Sequence, residues 1–400
     1  MKKRKDLSSM LRIAAAGLSA AVLLGFGVTA GAQSPALPKS PVTINVVDVG
    51  GALALLQDAI EAYQAKNPKL VSKINFTKAP APELPGKLKA MQAAGRSDID
   101  LVLGGTDILA AGIEQKLWTP VLPEHAAKFP KVLDNYLPAA RKMQELAQNQ
   151  ALAVVFMTSG PLIGYNPDKV KNPPATPQEL LDWCRANPNR FIYARPANSG
   201  PGRTFMMGLP YLLGDKDPKD PVNGWDKTWT YLKALNTCIE YYPTGTGAVM
   251  KEWGQGSRDM TAIVTGWDIN PRALGIVPKE YKVGAFKNMV WVNDTQYMMT
   301  PKGLSPDKLA VVLDLMQFLL QPAQQALTYD KGYFYPGPAV KGVPITMAPK
   351  ESQDVIKEYG RPEYELWDKQ FKHVQPLEAK AMVEAFRIWD QQVGAQKFKQ

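Results

Sequence analysis

Two apolar runs between Ile263 and Pro301 each deliver an aromatic residue and a carboxylate where a buried strand would hand over to a polar loop. They are Trp267-Asp268, after Ile263-Val264-Thr265-Gly266, and Trp291 with Asp294, after Met289-Val290. Aromatic faces supply contact area and attract cations, and a carboxylate beside them can fix an ammonium group. The same two acids admit another chemistry, a general acid and base flanking a glycosidic bond, for which carboxylates about 5–10 Å apart are needed. A core aromatic followed by a turn residue looks the same in sequence. Other chemistries have little to work with. The only histidines, His125 and His373, lie far apart and share no ligand spacing with a cysteine, so a structural metal site is not expected. Neither an HExxH nor a Gly-x-Ser-x-Gly motif is present.

A further set of residues could meet an anion or an amide. Gly50-Gly51 and Gly104-Gly105-Thr106-Asp107 each follow a β-branched or aliphatic run and precede a helical pattern. Glycine there lets backbone approach a ligand, and the helix start that follows exposes N–H groups and the positive end of a dipole. Gly50, Gly51, Gly105, Thr106 and Asp107 are therefore candidate contacts. Ala197–Gly208 repeats the arrangement, with Ser199, Gly200, Arg203 and Thr204 as candidates, against the plainer reading of a capped helix start with Arg203 in a salt bridge. Thr244–Gly256 is another glycine loop entering a helix, and its Trp253 could reach the same cleft.

Met1–Ala32 is read as a cleaved leader. Lys2, Lys3, Arg4, Lys5 and Arg12 precede or flank an apolar run from Ile13 to Val28, and Ala30-Gly31-Ala32 is a small-x-small cleavage site. Cleavage after Ala32 would leave no cysteine at the new N-terminus to carry a lipid. The formal charge of +10 includes five basic residues and Asp6 in the leader, so 10 − 4 leaves +6 for the remainder. No block of five basic residues stands outside the leader, which argues against a nucleic-acid partner. Two cysteines, Cys184 and Cys238, are a possible disulfide in an oxidising compartment.

The remaining 400 − 32 = 368 residues exceed what one hydrophobic core usually serves, so two lobes are expected. Strand-like runs at Val42–Asp48, Val71–Phe76 and Ile99–Leu103 alternate with helical patterns, which predicts an α/β chain with parallel sheets and a ligand crevice beyond the strand ends. Thr176, Pro177 and Glu179 mark a helix start by a capping box. Trp225, Trp229, Leu232 and Leu235 are read as one packed helix face, and Leu309, Val312, Leu313, Met316, Leu319 and Leu320 as another.

The Thr43–Asp48 strand, Asp98–Gly105, Ala111–Val121, Gln150–Pro167 and Arg190–Pro196, in that order, resemble the solute-binding proteins of ABC importers, nearest to the extracellular spermidine/putrescine type. The resemblance implies a two-lobed periplasmic-binding-protein fold of the class II type, each lobe a mostly parallel sheet flanked by helices, joined by a three-crossover hinge. Lobe one would comprise 33–156 and 295–335, with lobe two made of 157–294 and 336–400. Lys331–Pro338 would be the third crossing, and the segment after Ser352 would pack on lobe two. The implied protein is a periplasmic monomer without cofactor or enzymatic activity, whose partners are a small-molecule ligand and a membrane permease.

In polyamine-binding relatives a Gly-Trp pair and a Trp with a nearby Asp form the box around the ammonium group. Gly266-Trp267-Asp268 and Trp291 to Asp294 resemble those places, the second spaced one residue wider, while glycines stand where first-lobe aromatics are expected. A small organic cation of the polyamine or thiamine type is the leading ligand. Two alternatives stay open: an anionic or zwitterionic solute held by Arg203 and the glycine-rich helix starts, and a secreted hydrolase using Asp268 and Asp294. Tyr241-Tyr242 resembles the adjacent tyrosines that hold iron in ferric-ion-binding relatives, but a Pro-Thr-Gly turn follows it directly.

Overall fold

The computed structural model describes residues 34–395 and Lys397. The leader and its cleavage site lie outside the described residues. In chain order the strands are β1 (Val42–Val49), β2 (Val71–Lys78), β3 (Leu101–Gly104), β4 (Leu152–Gly160), β5 (Leu162–Tyr165) and β6 (Phe191–Ile192). They continue as β7 (Met260–Ile263), β8 (Lys282–Ala285), β9 (Trp291–Met299), β10 (Pro336–Pro338) and β11 (His373–Val374).

These strands form two sheets. The larger runs β10-β4-β9-β3-β1-β2 with β11 beside β9, and the smaller runs β6-β7-β5-β8. β1 pairs in parallel with both β2 and β3, as strands joined by crossover helices must. β9 enters from the opposite direction and runs antiparallel to β3 and β4. Both sheets are therefore mixed, because the chain segments that pass between lobes reverse direction where they join the strand-helix units. In the smaller sheet only β6 and β7 are parallel; β5 is antiparallel to β7 and β8.

The apolar run at 152–165 is divided at Gly160-Pro161. β4 ends in the large sheet, and β5 begins in the small one after this proline. The return passes from β8 through Phe286–Val290 into β9. The lobe limits expected at 156/157 and 294/295 fall inside β4 and β9, each of which stays in the large sheet to its end. Near the third expected crossing, β10 pairs antiparallel with β4 while Phe334 donates its backbone N–H to Gly266 O at 3.1 Å. This segment thus touches both lobes at once.

The segment after Ser352 also differs from expectation. Helix Ala379–Trp389 packs on helix Thr106–Glu114 of the first lobe, while its Trp389 ring meets Tyr193 and Tyr242 of the second at 6.1 and 4.8 Å. It is a strap across both lobes, since its apolar stripe is wide enough to have two partners. Helix Pro177–Ala186 starts as read: Thr176 Oγ1 accepts from the Glu179 amide at 3.1 Å, and Glu179 Oε2 accepts from the Ala175 amide at 2.8 Å. Among the described residues no helix is long and apolar enough to cross a membrane.

Cys184 and Cys238 form a disulfide, which closes a loop across 54 positions and ties helix Pro177–Ala186 to the end of helix Asp226–Asn236. Loop-closure entropy in the unfolded chain makes such a bond worth about 2–4 kcal/mol. Reduction and alkylation are expected to lower the thermal midpoint by several degrees, read by calorimetry beside the mass change. An unchanged midpoint would remove this bond from the account of stability.

Candidate functional site

The largest concentration of the residues singled out above lies around a cavity of about 440 Å³ between the two sheets. The first-lobe wall begins at β1. Gly50 and Gly51, both at φ +92°, turn the chain into helix Leu53–Lys66. A side chain at position 51 would put its Cβ 2.3 Å from the Tyr333 hydroxyl, so glycine here admits that ring into the site. Asp48, at the end of β1, turns its carboxylate onto this helix start, where Oδ1 accepts from the Leu53 amide at 3.1 Å. Burial holds the Asp48 pKa above the ordinary carboxylate value, against the pull of the helix amides and Lys78. Gly105 caps helix Thr106–Glu114, and Asp107 Oδ1 accepts from the Ile108 amide at 2.9 Å. Both first-lobe helix starts are therefore occupied by the chain's own carboxylates.

The second-lobe wall is built on helix Gly200–Leu213, whose residues Pro201 to Pro210 are all buried. Gly202 has no room for a side chain, since a Cβ would lie 2.2 Å from Ala194 O, and Phe205 locks the helix into an aromatic cluster with Phe191 and Tyr193. This packing fixes the helix start. Ser199 Oγ accepts from the Gly202 amide at 3.2 Å and lies 2.8 Å from Thr246 Oγ1, so the start of helix Thr246–Gly254 is held beside it. Arg203 lies one turn into the first helix, and helical side chains tilt back toward the N-terminus. Its guanidinium spans the cleft: Nη2 donates to Asp294 Oδ2 at 2.5 Å, and Nη1 lies 3.0 Å from Asp107 Oδ2. Burial opposes the charge on Arg203, but Asp294 and Asp107 outweigh it and raise its pKa.

The floor is β9 and the segment after Gly332. Asp294 and Gln296, two residues apart on a strand, share the face toward the cavity. Thr106 Oγ1 donates to Asp294 Oδ1 at 3.0 Å. Trp267, at the end of the short Thr265–Trp267 turn, meets Tyr333 edge-on at 5.3 Å, and Tyr333 stacks on Phe334 at 4.2 Å. These rings make the aromatic wall. The Tyr333 hydroxyl is pushed up in pKa by burial and by the nearby charge of Asp48.

Nine of the expected contacts line the cavity. From the first lobe come Gly50, Gly51, Gly105 and Asp107; from the second, Ser199, Gly200, Arg203 and Trp267; from β9, Asp294. Five do not. Thr106 supports Asp294 from behind. Thr204 is buried, 3.3 Å from Ser159 Oγ. Trp253 packs in the second-lobe core against Tyr281 at 5.2 Å, in the space left by the missing side chain of Gly164. Trp291 stands three residues from Asp294 on the same strand and so faces the other way; its indole N–H donates to Trp367 O at 3.1 Å.

Asp268 turns away from the cavity into the segment around Arg361. It accepts from Arg272 Nε and Nη2, both at 3.0 Å, from Arg361 at 2.6 and 2.8 Å, and from the Tyr364 hydroxyl at 2.8 Å. Burial would raise its pKa, but Arg361 and Arg272 outweigh that and lower it. A carboxylate enclosed this way can neither touch a solute nor exchange protons with one, which removes the acid/base pair with Asp294. The tyrosine pair is likewise elsewhere: Tyr241 donates to Glu252, and Tyr242 donates to Asn236 Oδ1 at 2.9 Å.

Sequence reasoning missed Asp48, Gln296, Tyr333 and Phe334. The signals existed. Asp48 stands two residues before Gly50 of the Gly50-Gly51 turn, and Tyr333-Phe334-Tyr335 is an aromatic run inside the segment read only as a hinge.

A model of the bacterial extracellular solute-binding protein family matches residues 58–356. A search of curated proteins finds no match. Among solved structures, the periplasmic binding protein AfuA from Actinobacillus pleuropneumoniae, bound to fructose-6-phosphate, superposes with a TM-score of 0.64 at 14% identity, covering 88% of this chain and 99% of its own. The periplasmic binding protein P5PA gives 0.63 at 16% identity, covering 88% and 99%. A Listeria monocytogenes structure titled as a spermidine/putrescine ABC transporter gives 0.60 at 14%, covering 86% and 96%. At these identities the likeness carries the two-lobed fold alone, while the family match spans well over half of the chain. With the cleft between two sheets, that match places the chain in the bacterial extracellular solute-binding protein family, as a binder of solutes and not an enzyme.

Proposed function

We propose that this protein is the exported receptor of an ABC importer, capturing a small organic cation of the polyamine or thiamine type in the cleft and handing it to the membrane permease. The observation that carries this reading is the pairing of an aromatic wall, Trp267, Tyr333 and Phe334, with an excess of acid. Asp48, Asp107 and Asp294 line the cavity against two cations, Lys78 and Arg203. Arg203 is committed to Asp107 and Asp294, so its charge is already balanced. Among the described residues Asp48 has no cation at ion-pair distance, and it lies near enough to Tyr333 for its charge to raise that hydroxyl's pKa. A cation there meets a carboxylate in a partly desolvated site and the faces of aromatic rings, each a source of affinity.

Closure follows from the same residues. Arg203 belongs to the second lobe and its two acids to the first, while the Ala81 amide donates across the cleft to Asn198 Oδ1 at 3.4 Å. A ligand touching both walls adds affinity only in the closed form, which shifts the population toward the state the permease meets. The leader read at Met1–Ala32 supports export, and N-terminal sequencing of protein recovered from the periplasm is expected to begin at Gln33.

In a thermal-shift screen spermidine, putrescine or thiamine is expected to outrank dicarboxylates and phosphonates; a response confined to anions sinks the cation reading. Trp267→Ala is expected to weaken the best cation by over tenfold in calorimetry while the fold is retained, and unchanged affinity would take Trp267 out of the binding wall. Affinity for that cation should also fall as pH drops through the raised pKa of Asp48, because protonation removes the charge the ligand meets.

A further inference from the structure

The space between the lobes does not end at the aromatic wall. A second cavity of about 590 Å³ adjoins the first and shares Asp48, Gly51, Lys78, Trp267 and Tyr333 with it. The rest of its lining comes from helix Leu53–Lys66 through Ala54 and Gln57, from helix Ile269–Ala273 through Asn270, and from Asp330 in the segment before Tyr333. Residues common to both cavities stand at their junction. Asp48 and the Trp267–Tyr333 pair therefore form a neck, with room on either side of it.

Three acceptors lie along this path, and no cation of the chain is hydrogen-bonded to any of them. In the first cavity Gln296, 4% exposed, has an Oε1 without a hydrogen-bond partner among the described residues. An unmet buried acceptor asks the ligand for an N–H or O–H donor. At the neck stands Asp48; Lys78 is exposed there and comes near enough to lower the Asp48 pKa, but not to ion-pair distance. In the second cavity the half-buried Asp330 carboxylate has neither hydrogen bond nor ion pair among the described residues, and its neighbour Lys331 is taken by Glu351 at 2.9 Å. Burial, with the charges of Asp58 and Glu351, pushes Asp330 up to about 6 against the pull of Lys331. The second cavity is thus a place where positive charge is wanted.

The acceptors are too far apart for one ammonium group. Asp48 is paired across the sheet with Leu103, and Leu103 with Met298, so the strands carrying Asp48 and Gln296 are two spacings apart, about 10 Å. Asp330 lies on the other side of the neck. Resting on the cation reading, we propose that the second cavity is a separate subsite, and that the ligand is a linear amine of three or more nitrogens passing through the neck. One end donates to Gln296, an inner ammonium meets Asp48 beside the Trp267–Tyr333 pair, and the far end meets Asp330. A diamine or a compact cation such as thiamine leaves at least one of the three unmet.

Calorimetry on the full exported protein tests this with two series: α,ω-diamines of three to eight carbons, and linear triamines and tetraamines with three- or four-carbon spacers. The triamines are expected to bind at least tenfold tighter than every diamine. That includes the eight-carbon diamine, which matches spermidine in length but lacks its inner nitrogen. Diamines binding as well or better overturn the three-point ligand and leave the cation reading standing. Failure of every amine to bind overturns both. Asp330→Asn then reads the far end. Asparagine tolerates the left-handed backbone at this position, where φ is 20°, and removes a partly buried charge, so the variant should fold with its thermal midpoint kept. Triamine affinity should fall at least tenfold while putrescine stays within threefold. Unchanged triamine affinity overturns the second subsite, and so does an equal loss for putrescine, which would put Asp330 within reach of the shorter ligand.

Discussion

Asp268→Asn is expected to lower the unfolding free energy by about 3–5 kcal/mol, the cost of removing one partner from a buried ion cluster. Asp268 is 1% exposed and serves two guanidinium groups and a phenol. Asparagine fills the same volume but leaves Arg272 and Arg361 charged without a counter-ion, in a setting where water cannot compensate. The cluster joins the segment after Trp267 to the Arg361–Gln370 region, so the loss should be global and appear as a lower midpoint in urea. The pH dependence has a definite sign. Because the folded pKa of Asp268 lies below its unfolded value, its contribution is present above the unfolded value near 3.8 and is lost as pH falls through the lower folded value. Affinity for the best cleft ligand should stay within about threefold at temperatures where the variant is folded. If binding collapsed while stability held, Asp268 would be a ligand group after all.

Asp48→Asn should behave in the opposite manner. Cation affinity is expected to fall at least tenfold, about 1.4 kcal/mol or more, since the variant removes the charge of the one cavity acid that is not paired with Arg203. Stability should be unchanged or slightly higher at neutral pH. The folded pKa of Asp48 is raised, so ionising it costs the folded state; that cost is absent below the unfolded pKa and grows as pH rises through the folded one. Asparagine keeps an oxygen to accept from the Leu53 amide and avoids the buried charge. A binding site that stores unfavourable charge for its ligand shows this exchange of stability for function. Retained cation affinity in this variant would move the ammonium site away from Asp48, and titration of putrescine by calorimetry decides the matter.

Asp294 falls between these cases. Three residues hold it: Arg203 by its guanidinium, Thr106 by its hydroxyl and Thr295 by its own backbone amide at 2.9 Å. Replacing it would strand Arg203 as well as alter the cavity, so its effects on binding and on closure come together. It is a poorer probe of the ligand than Asp48.

Several features were legible from one sequence because they are written in local patterns. The β-branched Val42–Val49 run, the glycine turns before helix starts and the Thr176–Glu179 cap depend on neighbours a few residues away. The two-lobed architecture is the sum of many such segments in a fixed order, and the family resemblance read that order. The glycine loops at 50–51, 105 and 199–200 reach the cavity because strand ends and helix starts collect at the same edge of an α/β lobe.

What only the tertiary structure decided is which way side chains face once the segments are packed. Trp267 and Asp268 are adjacent, yet one lines the cavity and the other is enclosed by two arginines that stand four and 93 positions along the chain. Trp291 and Asp294 share a strand, and the alternation of its faces sends them apart. The aromatic partners absent from the first lobe come instead from Tyr333, admitted past Gly51, and from Phe334, which packs where Gly266 has no side chain to block it. Of the two aromatic-acid pairs, Trp267 and Asp294 thus face the cavity, while Asp268 and Trp291 pack away from it. Sequence spacing determines the faces of one element, whereas partners hundreds of positions apart meet only through the packing of the whole chain.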